Sequence, residues 1–414
     1  MTDFKNLFKI IFKRFGIWIL LLSLLIAAMN GVQTKYRLAN DSIQLKKAVN
    51  EMSKDTGIKI NNDRKISKDY IKEADKIAEK YASKYNIKSD DELNQMPENE
   101  FMAYNERQEE AYNSRYWELE SYYRTYESIK STSQDDSLGV NDYIIGMTSG
   151  IAVLVGIISM IITSLEQSLP YYEFSLMLPW KKRDEVWMKA IIVFIIGLGI
   201  FLINLIMNMF MISASDLSPL LNIGSFGNTI LKSLLLILGT SIISVATGMI
   251  AGNFVGHVGL MIIAVGSIEL IKAILDTFFS IFNPELIMKL DQQFIDFKEK
   301  VPELLKPFLG LIHVDMNYES LAGFIIIAVL WSILAYLVNC KNSSENAGYL
   351  VISKPISNIA KVLGILTLAS VLSVIGATTV VGESSILIRL LIYILALLIS
   401  IKLFDILFKI RLKF

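Results

Sequence analysis

Cysteine is almost missing from this chain: Cys340 stands alone among 414 residues, so no disulfide framework can form within it. Histidine is nearly as scarce. His257 and His313 lie far apart, and neither sits in a metal-binding spacing such as His-Glu-x-x-His. No Gly-x-x-x-x-Gly-Lys-Ser/Thr loop occurs, so the chain cannot cradle the phosphates of ATP by itself. No Gly-x-Ser-x-Gly nucleophile elbow occurs either. Net charge is zero, with 40 basic against 40 acidic residues. No basic stripe carries interleaved aromatics, which speaks against nucleic acid as a partner. The expectation is a chain that is no enzyme, with no catalytic residues, no cofactor site and no metal site of its own.

Apolar runs are abundant. Hydrophobic residues make up 53% of the chain, and a bilayer-spanning helix needs about 20 mostly apolar residues. Runs at 16–33, 143–165, 187–212, 229–252, 255–282, 321–339, 360–381 and 386–408 fit that length. The expected fold class is all-α: a polytopic membrane helix bundle of about eight transmembrane helices, with an extracellular helical hairpin insertion. Spans two to six occupy 143–340, a loop fills 341–359, and the last two spans with a basic tail fill 360–414. Lys5, Lys9, Lys13 and Arg14 precede the first span. Lys181, Lys182 and Arg183 separate the second and third. Lys341, Lys354 and Lys361 separate the sixth and seventh, and Lys409, Arg411 and Lys413 close the chain. Eight spans put all four groups on one side. The excess of Lys and Arg in short cytoplasmic loops then implies a multi-pass cell-membrane protein with both termini cytoplasmic and 34–142 outside.

Residues 1–15 form an amphipathic pattern. Phe4, Leu7, Phe8, Ile11, Phe12 and Phe15 share one face and Lys5, Lys9 and Lys13 the other, as in a helix lying in the membrane interface. A cleaved signal peptide is the competing reading. The insertion 34–142 is rich in charge of both signs. One long helix is expected over 98–130, with Phe101, Tyr104, Tyr112, Tyr116, Leu119, Tyr123 and Tyr126 at helical steps. A second is expected over 67–85, striped by Tyr70, Ile71, Ala74, Ile77, Ala78 and Tyr81. The tyrosines read as a packed seam, with a ligand platform as the alternative.

Glu269, Lys272 and Asp276 fall on one face of the fifth span. Ionisable groups within a membrane usually face the bundle interior or a water-filled cavity, which makes these three candidates for lining a translocation path. The same spacing also suits a self-satisfied salt-bridge set, or a span that ends near Leu270. The segment 284–310 reads as an amphipathic helix on the outer surface, and Arg389 lies near enough to that surface to snorkel. Gly248, Gly252 and Gly256, and the pair Gly146 and Gly150, permit close helix approach.

Between the second and third spans stands LEQSLPYYEFSLMLPWKKRDEVWMKA, residues 165–190. A connection needs only a few residues, so a loop over 165–185 with structure of its own implies a task. Leu165, Leu169, Tyr172, Leu176 and Leu178 interleave with Glu166, Gln167, Glu173 and Ser175. A short amphipathic helix there would show Glu166 and Glu173 to the cytosol, until Pro179 stops it. Lys181, Lys182 and Arg183 anchor the re-entry at the headgroups, and Asp184 caps the third span.

SLMLPWKKRDEVWMKA resembles a turn found in permease subunits of bacterial ATP-binding cassette transporters of the ABC-2 type, with Leu178, Pro179, Arg183 and Lys189 in the matching places. NSSENAGYLVISKPISNIAKV is similar to a cytoplasmic connection of a related branch of large permeases, through Glu345, Ala347, Gly348, Lys354 and Pro355. The resemblance covers the first six spans loosely and these two loops more closely. It implies a coupling helix, with Glu166, Leu169, Tyr172, Glu173, Leu176, Pro179 and Arg183 docking on a separate ATPase subunit that binds the ATP. It also implies a dimer with a second permease copy or a paralogous permease in the lipid membrane. The function it implies is export or extraction of an amphiphilic substrate. A secondary transporter with paired repeats, and a non-transporting membrane protein displaying a helical sensor or scaffold, are the competing classes.

Overall fold

The computed structural model describes residues 2–63, 65–89, 92–93, 96–112, 115–130, 140–169, 181–218, 226–283, 285–340, 348–380 and 386–411. Among the described residues there is no strand, only an isolated antiparallel bridge between Ala251 and Val351. The helices are α1 (Thr2–Thr56), α2 (Lys68–Tyr85), α3 (Glu98–Tyr112), α4 (Tyr116–Lys130), α5 (Val140–Met160) and α6 (Lys182–Ser213). Then follow α7 (Phe226–Ile250), α8 (Phe254–Val265), α9 (Ser267–Phe282), α10 (Glu285–Lys300), α11 (Tyr318–Cys340), α12 (Lys354–Val380) and α13 (Ile386–Leu407). Seven stretches among the described residues are long and apolar enough to cross a bilayer, or eight if the bent pair α8–α9 is one span. The protein is a multi-pass membrane protein with an all-α bundle.

Contacts divide the chain into two compact units, one of 1–22, 148–201 and 231–414, the other of 23–147 and 202–230. In the first unit, α7 and α11 run parallel. At their starts Lys232 lies 5.2 Å over the Tyr318 ring. At their ends Asn339 Nδ2 donates to the Met249 carbonyl at 3.0 Å. The chain between them must therefore return from one end of the bundle to the other. It does so through α8, α9, α10 and short turns over 303–313. The expected straight fifth span is replaced by α8 and α9, which meet at 81°. Gly266 lies at the break, where a residue without a Cβ gives little support to a helix. The twelve residues of α8 rise about 18 Å, short of a full crossing.

Close backbone approach fixes the other end of this unit. Gly252 N donates to the Leu350 carbonyl, Gly348 N to Gly252 O and Ile352 N to Ile250 O. A Cβ on Gly256 would run into the Leu350 carbonyl, and one on Gly248 into Thr163 and His257. These two glycines are thus used for packing within the chain. Gly146 and Gly150 meet nothing nearby. Before this junction α5 widens into a π-helical turn over Ile161–Leu165 and closes with Glu166–Ser168.

The second unit holds the insertion. Helix α1 does not end where the apolar run does. No proline or glycine interrupts 32–56, so the helix keeps its backbone while its surroundings change from lipid-like to polar, and it stops at Thr56. The single helix expected over 98–130 is instead α3 and α4. Twelve residues along one helix span about 18 Å, yet the hydroxyls of Tyr104 and Tyr116 are 3.2 Å apart. Asn113 and Ser114, both turn-favouring, are the sequence signal; they lie outside the described residues. Tyr126 OH donates to Asp75 Oδ1 at 2.7 Å and Tyr81 OH to the Leu119 carbonyl, joining α2 to α4. Tyr70, Tyr81, Tyr116 and Tyr126 are all buried. Helix α2 matches its predicted range and stripe, capped by Ser67 at one end and by Asn86 at φ +52° at the other.

Candidate functional site

The loop 165–185 leaves α5 and re-enters at α6. Its middle, 170–180, lies outside the described residues, and with it Tyr172, Glu173, Leu176, Leu178 and Pro179. Its two ends are described, and they meet. Glu166, in the last turn after α5, accepts from Lys189 Nζ at 2.7 Å and from Arg14 Nη1 at 3.1 Å. Lys189 also donates to Glu185 Oε1, one turn back on α6, at 2.8 Å. Lys189 and Glu185 are each 2% exposed, whereas Arg14 keeps 44%. Two cations and two carboxylates neutralise one another where α1, α5 and α6 converge.

This corrects one expectation. Glu166 does not face the cytosol from an amphipathic helix. It is buried, because an isolated carboxylate beside apolar helices must be paired or neutralised, and Lys189 and Arg14 pair it. Leu169 is half-buried at the end of the turn. Arg183 lies in the first turn of α6; its side chain is not described. Helix α6 begins at Lys182, so Asp184 is in the first turn rather than at the cap, where a carboxylate still favours the positive helix end.

Beside the ion cluster lies a neutral polar junction. Ser164 Oγ and His257 Nδ1 share a hydrogen bond of 3.0 Å. Asn253 caps α8 through the Gly256 N–H at 2.8 Å and donates its amide to the Gly348 carbonyl at 2.7 Å. The second motif loop is thereby joined to the ends of α5 and α7. Gly348, Lys354 and Pro355 are described there; Glu345 and Ala347 are not. Arg14, Glu166, Glu185, Lys189, the 348–361 segment and Arg411 all belong to the same end of this unit, since α12 starts and α13 finishes there.

Glu269, Lys272 and Asp276 lie on α9, at the other end. Lys272 pairs with Asp276 in its own helix and with Asp291 of α10. Glu269 pairs with Lys298 of α10 at 3.1 Å, and His313 Nε2 lies 3.2 Å from its carboxylate. The three residues tie α9 to the segment that follows it, beyond any pairing among themselves. The segment expected as one amphipathic helix over 284–310 is α10 followed by short turns. Arg389 donates to the Ser280 carbonyl at 3.3 Å, anchoring α13 to α9.

Sequence reasoning missed two features. Glu185 completes the ion cluster, and its signal was the Glu185–Lys189 spacing of four in a helix otherwise turning apolar. In the second unit, Asn30 donates to Asn204 at 2.8 Å and Thr34 to Asn208 at 2.7 Å, a polar seam between α1 and α6. Asn204 and Asn208 stand four residues apart inside an apolar run, and Asn30 and Thr34 repeat that spacing at the end of another, which suits hydrogen bonding across helices in a membrane.

Compared with family models, with curated proteins and with solved structures, the chain matches none of the three.

Proposed function

We propose that this chain is the permease subunit of an ATP-binding cassette transporter of the ABC-2 type. A separate ATPase subunit binds and hydrolyses ATP, and this chain moves an amphiphilic substrate by export or extraction. The observation that carries the reading is the Glu166–Lys189 pair. It ties the exit and the re-entry of the 169–181 segment to one point, and through Arg14 to α1. A partner pushing on that segment would move α1, α5 and α6 together rather than bend a loose loop.

In this reading the end holding Arg14, Lys189 and Arg411 is cytoplasmic and residues 34–142 are outside, following the positive-inside rule. The coupling surface is supplied by 169–180, to which Glu173 belongs, with Glu166 acting as its anchor. A second permease copy or a paralogous permease completes the transporter. Glu269, Lys272 and Asp276 belong to the outer half, as the polar side of a path lined by α9. The reading is tested by purifying the tagged full chain from its native membrane and identifying what accompanies it. A stoichiometric soluble chain with a Gly-x-x-x-x-Gly-Lys-Ser/Thr loop is expected; repeated purification without one would remove the reading.

A further inference from the structure

We infer that the cleft between α8 and the pair α12–α13 is a binding site for one acyl chain of an anionic glycerophospholipid, whose headgroup is held by the basic residues at its rim. This inference is independent of the transporter reading.

The cleft has a volume of about 430 Å3, within the range of small-molecule sites. Its walls are apolar: Leu260 and Ile263 from α8, Leu368 and Gly364 from α12, Phe404 and Phe408 from α13 and just beyond it. It reaches from Leu350 and Phe408 at one end to Val371 at the other. Val371 stands ten residues beyond Lys361 on α12, a depth of about 15 Å. That is about half of a hydrocarbon core of roughly 30 Å, the depth of one leaflet.

The rim supplies the charge. Lys354, Lys402, Lys409 and Arg411 are exposed at the end where α12 begins and α13 finishes. Arg411 lies 5.7 Å over the Tyr349 ring, next to Leu350 of the cleft wall. Lys361 is paired with Asp405, so the acid on this stretch of α13 is already matched. Among the described residues cations outnumber acids at this rim, and above a one-leaflet apolar cleft they favour an amphiphile with a negative head. Basic pockets between membrane helices recognise anionic lipid heads in this way. A soluble anion would find the charge and no use for the cleft, and an uncharged lipid the reverse.

The test is native mass spectrometry of the detergent-purified full chain, titrated with phosphatidylglycerol or phosphatidylcholine of equal chain length. The wild type is expected to hold one phosphatidylglycerol in preference to phosphatidylcholine, with glycerol phosphate failing to compete. K402A/K409A/R411A should lose that preference by about five-fold for each basic group that contacts the head. A Cβ at Gly259 meets nothing within 4 Å, so G259F can fill the cleft without a clash at its first atom; it should weaken both lipids. G259A, too small to fill it, should bind as wild type and controls for the change in helix backbone. Equal binding of the two lipids by the wild type overturns the inference. So does an unchanged preference in the triple variant, or undiminished binding in a G259F protein that melts as wild type.

Discussion

Lys189 is the residue on which the geometry of the ion cluster turns. Its ammonium is buried between Glu166 and Glu185, an arrangement tolerable only while the charges stay matched. Replacing both members of a buried pair by apolar groups can be neutral, but removing one leaves an uncompensated charge and costs about 3–5 kcal/mol. Lys189→Met should therefore lower the thermal midpoint of the purified protein severely. Arg14→Ala should cost less than about 1 kcal/mol, since Arg14 is half exposed and Lys189 still holds Glu166. Thermal melting in detergent separates the two. A Lys189→Met protein as stable as wild type would mean that the cluster does not bind these helices. Residue by residue, the sequence marked Glu166 as important and assigned it the wrong surface. Helical spacing gives which residues share a face; it does not say which face is buried when the partners, Arg14 and Lys189, come from distant parts of the chain.

At the scale of elements, legibility follows how local the determining physics is. Helix α2 was readable to its caps because Ser67, Asn86 and the Tyr70–Tyr81 stripe all lie within it. The length of α1 was misread because composition changes at residue 33 while helix-forming capacity does not. The bend at Gly266 and the return through α10 depend on α7 and α11 running parallel, which no local pattern contains. The insertion offers a test of its own. Burial pushes the phenols of Tyr81, Tyr116 and Tyr126 above the ordinary tyrosine value near 10, assisted by the Asp55 charge, the Tyr104 hydroxyl and the bond to Asp75 respectively. The folded state therefore keeps protons that the unfolded chain loses above pH 10. The stabilisation is whole below pH 10 and declines as pH rises toward the raised values. A spectrophotometric titration of tyrosinate at 295 nm should show a late-ionising group that appears only as helicity falls. Replacing Tyr126 with Phe removes the bond to Asp75 and should cost about 1.5–3 kcal/mol. Ionisation of all tyrosines near pH 10 with helicity intact would contradict the packed seam.

For the whole molecule, sidedness comes first. On a Cys340→Ser background, single cysteines at Lys84 and at Lys182 should respond oppositely to a membrane-impermeant maleimide on intact cells, the first labelled and the second protected. Labelling at 182 from outside would invert the proposed topology. Arg14, Lys189, Gly348 and Arg411 gather at one end of their unit, and the labelling experiment decides which side of the membrane that end faces. The apolar runs could be read from the sequence because length and hydropathy along the chain are one-dimensional properties. Whether a partner docks on 169–180 could not be read that way, since the strongest sequence cue for it is resemblance and 170–180 lie outside the described residues.

The most direct measurement is therefore retention of the proposed ATPase partner by Glu173→Lys. Unlike Glu166, Glu173 has no assigned role as an anchor, so reversing its charge tests the contact itself. A like-charge juxtaposition at an interface costs several kcal/mol, hence more than about ten-fold in association. The variant is expected to insert and melt as wild type while losing most of its co-purifying ATPase, with Lys substitutions at Ser343 and Ser344 having far less effect. Wild-type retention of the ATPase by Glu173→Lys would contradict the assignment of this stretch as the coupling segment.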